Sequence, residues 1–255
     1  MLNFSAHLGF QFTEVPFAAR FGAAAAAGYR AVEFPSPYEQ DAGELAELLA
    51  RHQLQLVQFA TPMGDGKGLA ALAGRKEEFR EGLHQALHYA RRLGCRRLHL
   101  MSGCAGPDEP ADATTYLDNI RYAVAFLADQ GIQSLIEVIG EASAPGYFMS
   151  RFERAEWLFD AVDSPGLGLI FDSYHASRLG GDPLALLDAW WPRLGHVQVA
   201  DDPGRHEPGT GRLDFPALFA LLERRGYPGW IGCEYHPHNG TEAGLGWLAA
   251  YMAGR

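Results

Sequence analysis

Short runs of apolar and β-branched residues recur along the chain at Leu2 to Leu8, Ala31 to Phe34, Leu54 to Phe59, Arg97 to Met101, Ser134 to Ile139, Leu167 to Asp172, His196 to Ala200 and Trp230 to Glu234. Longer stretches of helical periodicity separate them, the pattern expected of repeated β-loop-α units around a parallel sheet. The punctuation agrees. Asp41 with Glu44 and Ser150 with Glu153 have capping-box spacing, and Asp182-Pro183 reads as an N-cap followed by proline at the first helical position. Gly28, Gly94, Gly131 and Gly226 each close an apolar helical stretch just before the next strand, where glycine takes the left-handed geometry that ends a helix. Eight such units in 255 residues is the count at which a sheet closes into a (β/α)8 TIM barrel. A doubly wound open sheet is the competing α/β arrangement, but no GxGxxG follows the first strand. Nothing reads as a linker, so the expectation is an α/β fold, one barrel domain spanning residues 1–255.

Composition narrows the function. A hydrophobic fraction of 47% with 20% charged residues is that of a globular protein. The net charge of −10 opposes a phosphate backbone, and there is no long Lys/Arg run, so a small molecule is the expected partner and nucleic acid is not. Cys95, Cys104 and Cys233 form no CxxC pair, which suggests neither a disulfide framework nor a zinc-thiolate site. The amino terminus lacks a basic, apolar leader and no apolar run reaches bilayer-spanning length, so the expected setting is the cytoplasm, away from membranes.

Catalytic groups of such barrels sit where strands finish, because the loops there form the open mouth. The last four strands each carry an oxygen donor near that end: Glu137 in LIEVIG, Asp172 in LGLIFD, Gln198 in HVQVA and Glu234 in WIGCE. A strand period of two lets each point inward above a filled layer. Three carboxylates so close raise one another's pKa unless a cation neutralises them, and an oxygen-rich set without thiolate suits one divalent cation, Mg2+ or Mn2+. The competing reading of any single carboxylate is that it caps the next helix or pairs with an arginine. His7 and Glu33, at the ends of the first two strands, either line the pocket or make local hydrogen bonds. His196 reads as a buried group behind Gln198, and Cys233 as a small buried residue with no activating partner.

The segments FSAHL, GYRAVEFPSPY, GRKEEFREG, PGYFMS, FDSYHASRLGGD, HVQVADDPGRHEPGTG and GWIGCEY together resemble the hydroxypyruvate isomerases, a branch of the xylose-isomerase-like barrels that also holds ketose 3-epimerases and, more distantly, endonuclease IV. The resemblance implies that Glu137, Asp172, Gln198 and Glu234 bind the metal, that Glu137 and Glu234 are the catalytic acid/base pair, and that His175 and Arg205 bind substrate. The implied activity interconverts hydroxypyruvate and tartronate semialdehyde through an enediol. A 2-oxo-tetronate isomerase or a ketose 3-epimerase on the same metal site is the alternative; Gln198, where the epimerases carry His, points to the hydroxypyruvate branch. A DNA-repair endonuclease and a barrel that only binds a sugar or metal are the rivals outside that class. A planar guanidinium at Arg205 suits a substrate carboxylate, against a solvated loop arginine. His175 polarises a substrate oxygen or bonds a neighbouring loop. The chain departs from the family pattern in VIGEAS, where Pro and Asn are usual, and in the shorter loop ATPMGDGKGLAALAGR. The implied partner is a small hydroxy-carbonyl acid, and a homo-oligomer is compatible with the sequence.

Overall fold

The computed structural model describes residues 1–106 and 111–252, so residues 107–110 and 253–255 of the expected domain lie outside it. The chain alternates strand and helix: β1 (Asn3–His7), α1 (Phe17–Ala26), β2 (Ala31–Glu33), α2 (Ala42–Arg51), β3 (Gln55–Leu56), β4 (Phe59–Ala60), α3 (Lys76–Leu93), β5 (Arg97–His99), α4 (Ala113–Ala128), β6 (Gln133–Glu137), α5 (Phe152–Ala161), β7 (Leu167–Asp172), α6 (Ser173–Arg178), α7 (Pro183–Ala189), β8 (Leu194–Val199), α8 (Phe215–Arg224), β9 (Trp230–Cys233) and α9 (Ala249–Met252). All strand pairs are parallel, in the order β3-β2-β1-β9-β8-β7-β6-β5-β4.

The third expected strand, Leu54 to Phe59, is two short strands that belong to one stave of the barrel. β3 pairs with β2 and β4 pairs with β5, so the backbone hands over from one neighbour to the other at Val57-Gln58. Val57 N still donates to Val32 O at 2.9 Å, while Thr61 N donates to His99 O at 2.9 Å. One continuous segment therefore bonds on both sides, and the ring closes with eight staves as the sequence pattern predicts.

The predicted helix starts hold where the cap is an aspartate. Asp41 accepts from Gly43 N and Glu44 N at 2.8 and 3.0 Å, and Asp182 caps α7 by accepting from Leu184 N. The capping box expected of Ser150 and Glu153 does not form. α5 begins one turn position later with Arg151 at its N-cap and no side-chain cap, and Ser150 N donates to Phe148 O instead. Gly28, Gly94, Gly131 and Gly226 all have positive φ, the left-handed geometry expected after a helix.

Apolar side chains from both the staves and the inward faces of the helices form one buried cluster, from Leu2 and Phe4 through Phe59, Tyr116 and Phe171 to Ile231 and Leu248. Among the described residues no helix is long and apolar enough to cross a membrane.

Candidate active site

Register places the four oxygen donors. Asp172 on β7 lies beside Gln198 on β8, Gln198 lies beside Gly232 on β9, and Glu137 lies beside Ile170, two residues short of Asp172. Glu234 follows the last residue of β9 in a tight turn, its N–H donating to Gly232 O at 3.1 Å. The stagger of neighbouring staves thus brings all four to one mouth. Glu137, Gln198 and Glu234 line a cavity of about 310 Å³ there, with His175, Arg205, His7, His99, Gln58 and Lys67.

Glu137, Asp172 and His175 each bring one potential ligand atom within 4.8 Å of the others, all three side chains being buried. His175 Nε2 lies 3.7 Å from Glu137 Oε1 and 3.8 Å from Asp172 Oδ2. This histidine, expected on the substrate, is part of the acidic cluster. Glu137 Oε1 and Gln198 Oε1, which face the cluster, are buried without a hydrogen-bond partner among the described residues. Buried oxygens are left so at a cost of roughly 1–3 kcal/mol each, and a bound cation removes it. The cluster therefore fits a hard divalent ion.

Asp172 takes both of the ordinary roles of a strand-end carboxylate as well. Its Oδ1 accepts from Tyr174 N at 2.7 Å, capping α6, and its Oδ2 accepts from Arg205 Nη2 at 3.0 Å. The same Arg205 Nη2 lies 3.0 Å from Glu234 Oε1. The loop that carries Arg205 is built for rigidity. Asp201 accepts from four backbone N–H groups, those of Asp202, Gly209, Gly211 and Leu213. Arg205 itself sits at a left-handed φ of 56°, its carbonyl accepting from His236 N at 2.8 Å. Its guanidinium is held between the rings of Phe10 and Tyr174, at 4.7 and 5.4 Å.

The electrostatics divide the carboxylates. Burial pushes Glu137 well above the usual carboxylate range, and the charges of Glu234 and Asp172 push it further. Burial raises Glu234 to about 8 against the pull of Arg205. Burial disfavours the Arg205 cation, but Glu234, Asp172 and Glu137 outweigh it and hold the guanidinium firmly charged. His7 and His175 are lowered to about 4 and His99 to about 3, chiefly by burial, so all three are neutral at pH 7.

Beneath the cavity lies a second polar layer. Glu33 is fully buried, and its carboxylate accepts from Ser5 Oγ at 2.8 Å, His196 Nε2 at 3.0 Å and Gln198 Nε2 at 2.8 Å, with Gln58 Nε2 at 3.5 Å. Room for it comes from Gly232, where a Cβ atom would stand 2.3 Å from Glu33 Oε1. Because Glu33 can only accept, it fixes the Gln198 amide with its nitrogen downward, leaving Oε1 for the site. Of the two residues whose place the sequence left open, His7 lines the cavity, its Nε2 3.8 Å from Glu234 Oε1, and Glu33 belongs to the layer below. His196 is fully buried and bonded to Glu33, and Cys233 is buried with its thiol pushed up by burial.

Three residues of the cavity escape a reading of strand ends. His99 lies with Nδ1 3.7 Å from Glu137 Oε2, in the run RLHLM, where it is flanked by Leu98 and Leu100. Its place inward on the same face as Met101 was the available signal. Gln58 sits at the hand-over between β3 and β4, and Lys67 stands in a glycine-rich turn, GDGKG, of the loop that is shorter than the family's.

The comparisons with known proteins point the same way. A model of the xylose isomerase-like TIM barrel matches residues 21–251. The chain is 42% identical to a 2-oxo-tetronate isomerase of Cupriavidus necator, covering 99% of both chains, and 40% identical to the hydroxypyruvate isomerase of Escherichia coli, covering 98% of this chain and all of that one. A crystal structure described as an AP endonuclease of family 2 from Brucella melitensis superposes with a TM-score of 0.94 at 43% identity, covering 98% of this chain and 99% of that one. A sugar epimerase structure, the D-allulose 3-epimerase of a Methylomonas species, shares the fold at a TM-score of 0.74 and 22% identity. By sequence, by strand order and by the donors at its mouth, this chain belongs to the xylose isomerase-like TIM barrel family.

Proposed function

We propose that the chain is a divalent-cation-dependent isomerase that interconverts hydroxypyruvate and tartronate semialdehyde. The observation that carries the reading is the pair of carboxylates, Glu137 and Glu234, raised in pKa on the wall of one cavity beside two unbonded oxygen donors. Full-length relatives at 40% and 42% identity, named for isomerisation of 2-oxo acids, support it.

The reaction moves a carbonyl between adjacent carbons, so a proton leaves one carbon and another returns to its neighbour. Carboxyls raised above the usual carboxylate range are suited to both acts, since each takes up a proton more readily than an ordinary carboxylate. A cation, Mg2+ or Mn2+, held by Glu137, Asp172, Gln198 and Glu234 supplies Lewis-acid stabilisation of the charge that develops on the substrate oxygens. Arg205 holds Asp172 and Glu234 in place, and its Nε, buried and without an acceptor in the chain, is left as a donor to the substrate. Neutral His175 and His99 stand 3.7 Å from Glu137 and bring no positive charge that would lower its pKa.

A second reading has its own support in the relative at 42% identity: a 2-oxo-tetronate, one carbon longer, as the preferred substrate. The ratio of kcat/KM for the two acids decides between them. An endonuclease reading, suggested by the name of the Brucella structure, is opposed by the charge of −10.

The test is solvent-deuterium incorporation into hydroxypyruvate with Mn2+ added. Incorporation is expected, lost on chelation and lowered roughly 10²- to 10⁴-fold in Glu137→Gln and Glu234→Gln with far less change in KM. Near-normal incorporation by metal-loaded Glu234→Gln would refute the assignment.

A further inference from the structure

We propose that Lys67 reads the substrate carboxylate and so selects 2-oxo acids over neutral sugars; the proposal rests on the isomerase reading above. Eight staves make up the ring. Lys67 stands in the loop after the third, formed by β3 and β4, and Arg205 in the loop after the seventh, β8. Three staves lie between them in either direction, so they face each other across the mouth. The oxygen donors belong to the fifth to eighth staves. A small substrate whose oxygens meet those donors extends its far end toward the wall from which Lys67 reaches into the same cavity.

Of the two cations on that cavity, Arg205 has its Nη2 committed to carboxylates and only its Nε left for a substrate. Its Nη2 is shared between Asp172 and Glu234 at 3.0 Å, and an anion placed there also meets those carboxylates. Glu137, which also acts on Arg205, adds a third acidic group to that side. The Lys67 ammonium, by contrast, has no hydrogen bond or ion pair within the described residues, although its charge acts on both Glu137 and Glu234. A flexible ammonium with no partner of its own is the available counter-charge for an incoming carboxylate.

The lysine is also mounted with care for a residue in an exposed turn. Its carbonyl accepts from Gly103 N at 3.0 Å, and Ala71 N donates to Ser102 O at 2.7 Å. Between them Gly68 bridges Ser102 with φ at +102°, and a Cβ there would stand 2.3 Å from Met101 O. No other residue fits that approach. The backbone at Lys67 is thus pinned to the segment after β5, while the side chain is left to reach inward.

The test replaces Lys67 by Met, which keeps the length of the stem and every backbone bond; an unchanged Tm confirms the fold. With hydroxypyruvate, KM is expected to rise roughly 10- to 100-fold while kcat stays within a few-fold, the size of a charge-assisted contact. Lys67→Arg should restore most of the loss. Calorimetric titration with tartronate, a small hydroxy-dicarboxylate that cannot isomerise, should show the same weakening in the Mn2+-loaded protein. A fall in kcat at unchanged KM, or equal tartronate affinity in wild type and Lys67→Met, overturns the assignment. Should wild type exchange no deuterium into any acid, the isomerase reading fails by itself. The tartronate titration then still decides on Lys67, and absence of binding to wild type counts against it.

Discussion

Two glutamates inside this barrel meet opposite fates. Glu33 is 0% exposed and Glu137 6%, so burial taxes the charge of both. Burial alone would raise Glu33, but His196, His7 and Gln198 outweigh it and hold it at about 2. Glu137 has no such shell. One of its oxygens is unbonded, its nearest histidines stand off at 3.7 Å, and the carboxylates of Glu234 and Asp172 push it upward. The difference lies in who answers the charge. A carboxylate fully answered by the protein is scaffold, whereas one left unanswered waits for a cation, a proton or a substrate.

The sharpest way to break the comparison is to remove the answered partner. Glu33→Ala strands the donors of Ser5, His196, Gln198 and Gln58, and should cost about 3–5 kcal/mol in chemical denaturation, as expected for a disrupted buried charge network. It should also weaken Mn2+ binding, because the Gln198 amide loses the contact that orients it. A stability loss below 1 kcal/mol would mean that Glu33 is not the anchor of that layer.

A smaller effect separates the two carboxylates by pH. His7, neutral in the fold with its pKa lowered to about 4, takes up its proton near 6.5 when unfolded. Above pH 6.5 it has no effect. As pH falls below 6.5 the unfolded state binds a proton that the folded state refuses, which costs the apoprotein about 2 kcal/mol by pH 5. Glu33 adds nothing in that window. Its depressed pKa contributes stability above about 4.5 that is lost only as pH falls toward 2. His175 and His99 add to the same decline, so His7→Asn should lessen it by about 2 kcal/mol at pH 5 without abolishing it, and an unchanged decline would leave it to those two alone.

How legible was this in the sequence? Strand count, strand order and the convergence of Glu137, Asp172, Gln198 and Glu234 follow from period-two patterning and from the spacing of β/α units, both local signals. What eluded it depends on neighbours distant in the chain. The split of the third stave is set by β2 and β5 competing for one backbone, and α5 starts late because Ser150 bonds Phe148 rather than the helix. His99 hides among leucines because only the ring of staves reveals what an inward residue faces. The sequence reading that His175 touches substrate places it near the chemistry, but its closeness to Glu137 and Asp172 arises from the turn of α6 that Asp172 caps.

Burial holds Glu137 and Glu234 above the usual carboxylate range, so a cation that binds them displaces protons, while the partners of Glu33 hold it below that range. Calorimetric titration of the metal-free protein with Mn2+ at pH 7, in buffers of different ionisation enthalpy, counts the protons released on binding. Protons are expected to be released as the ion binds, fewer of them in Glu137→Gln. Binding of Mn2+ without proton release, or no binding at all, would contradict that expectation.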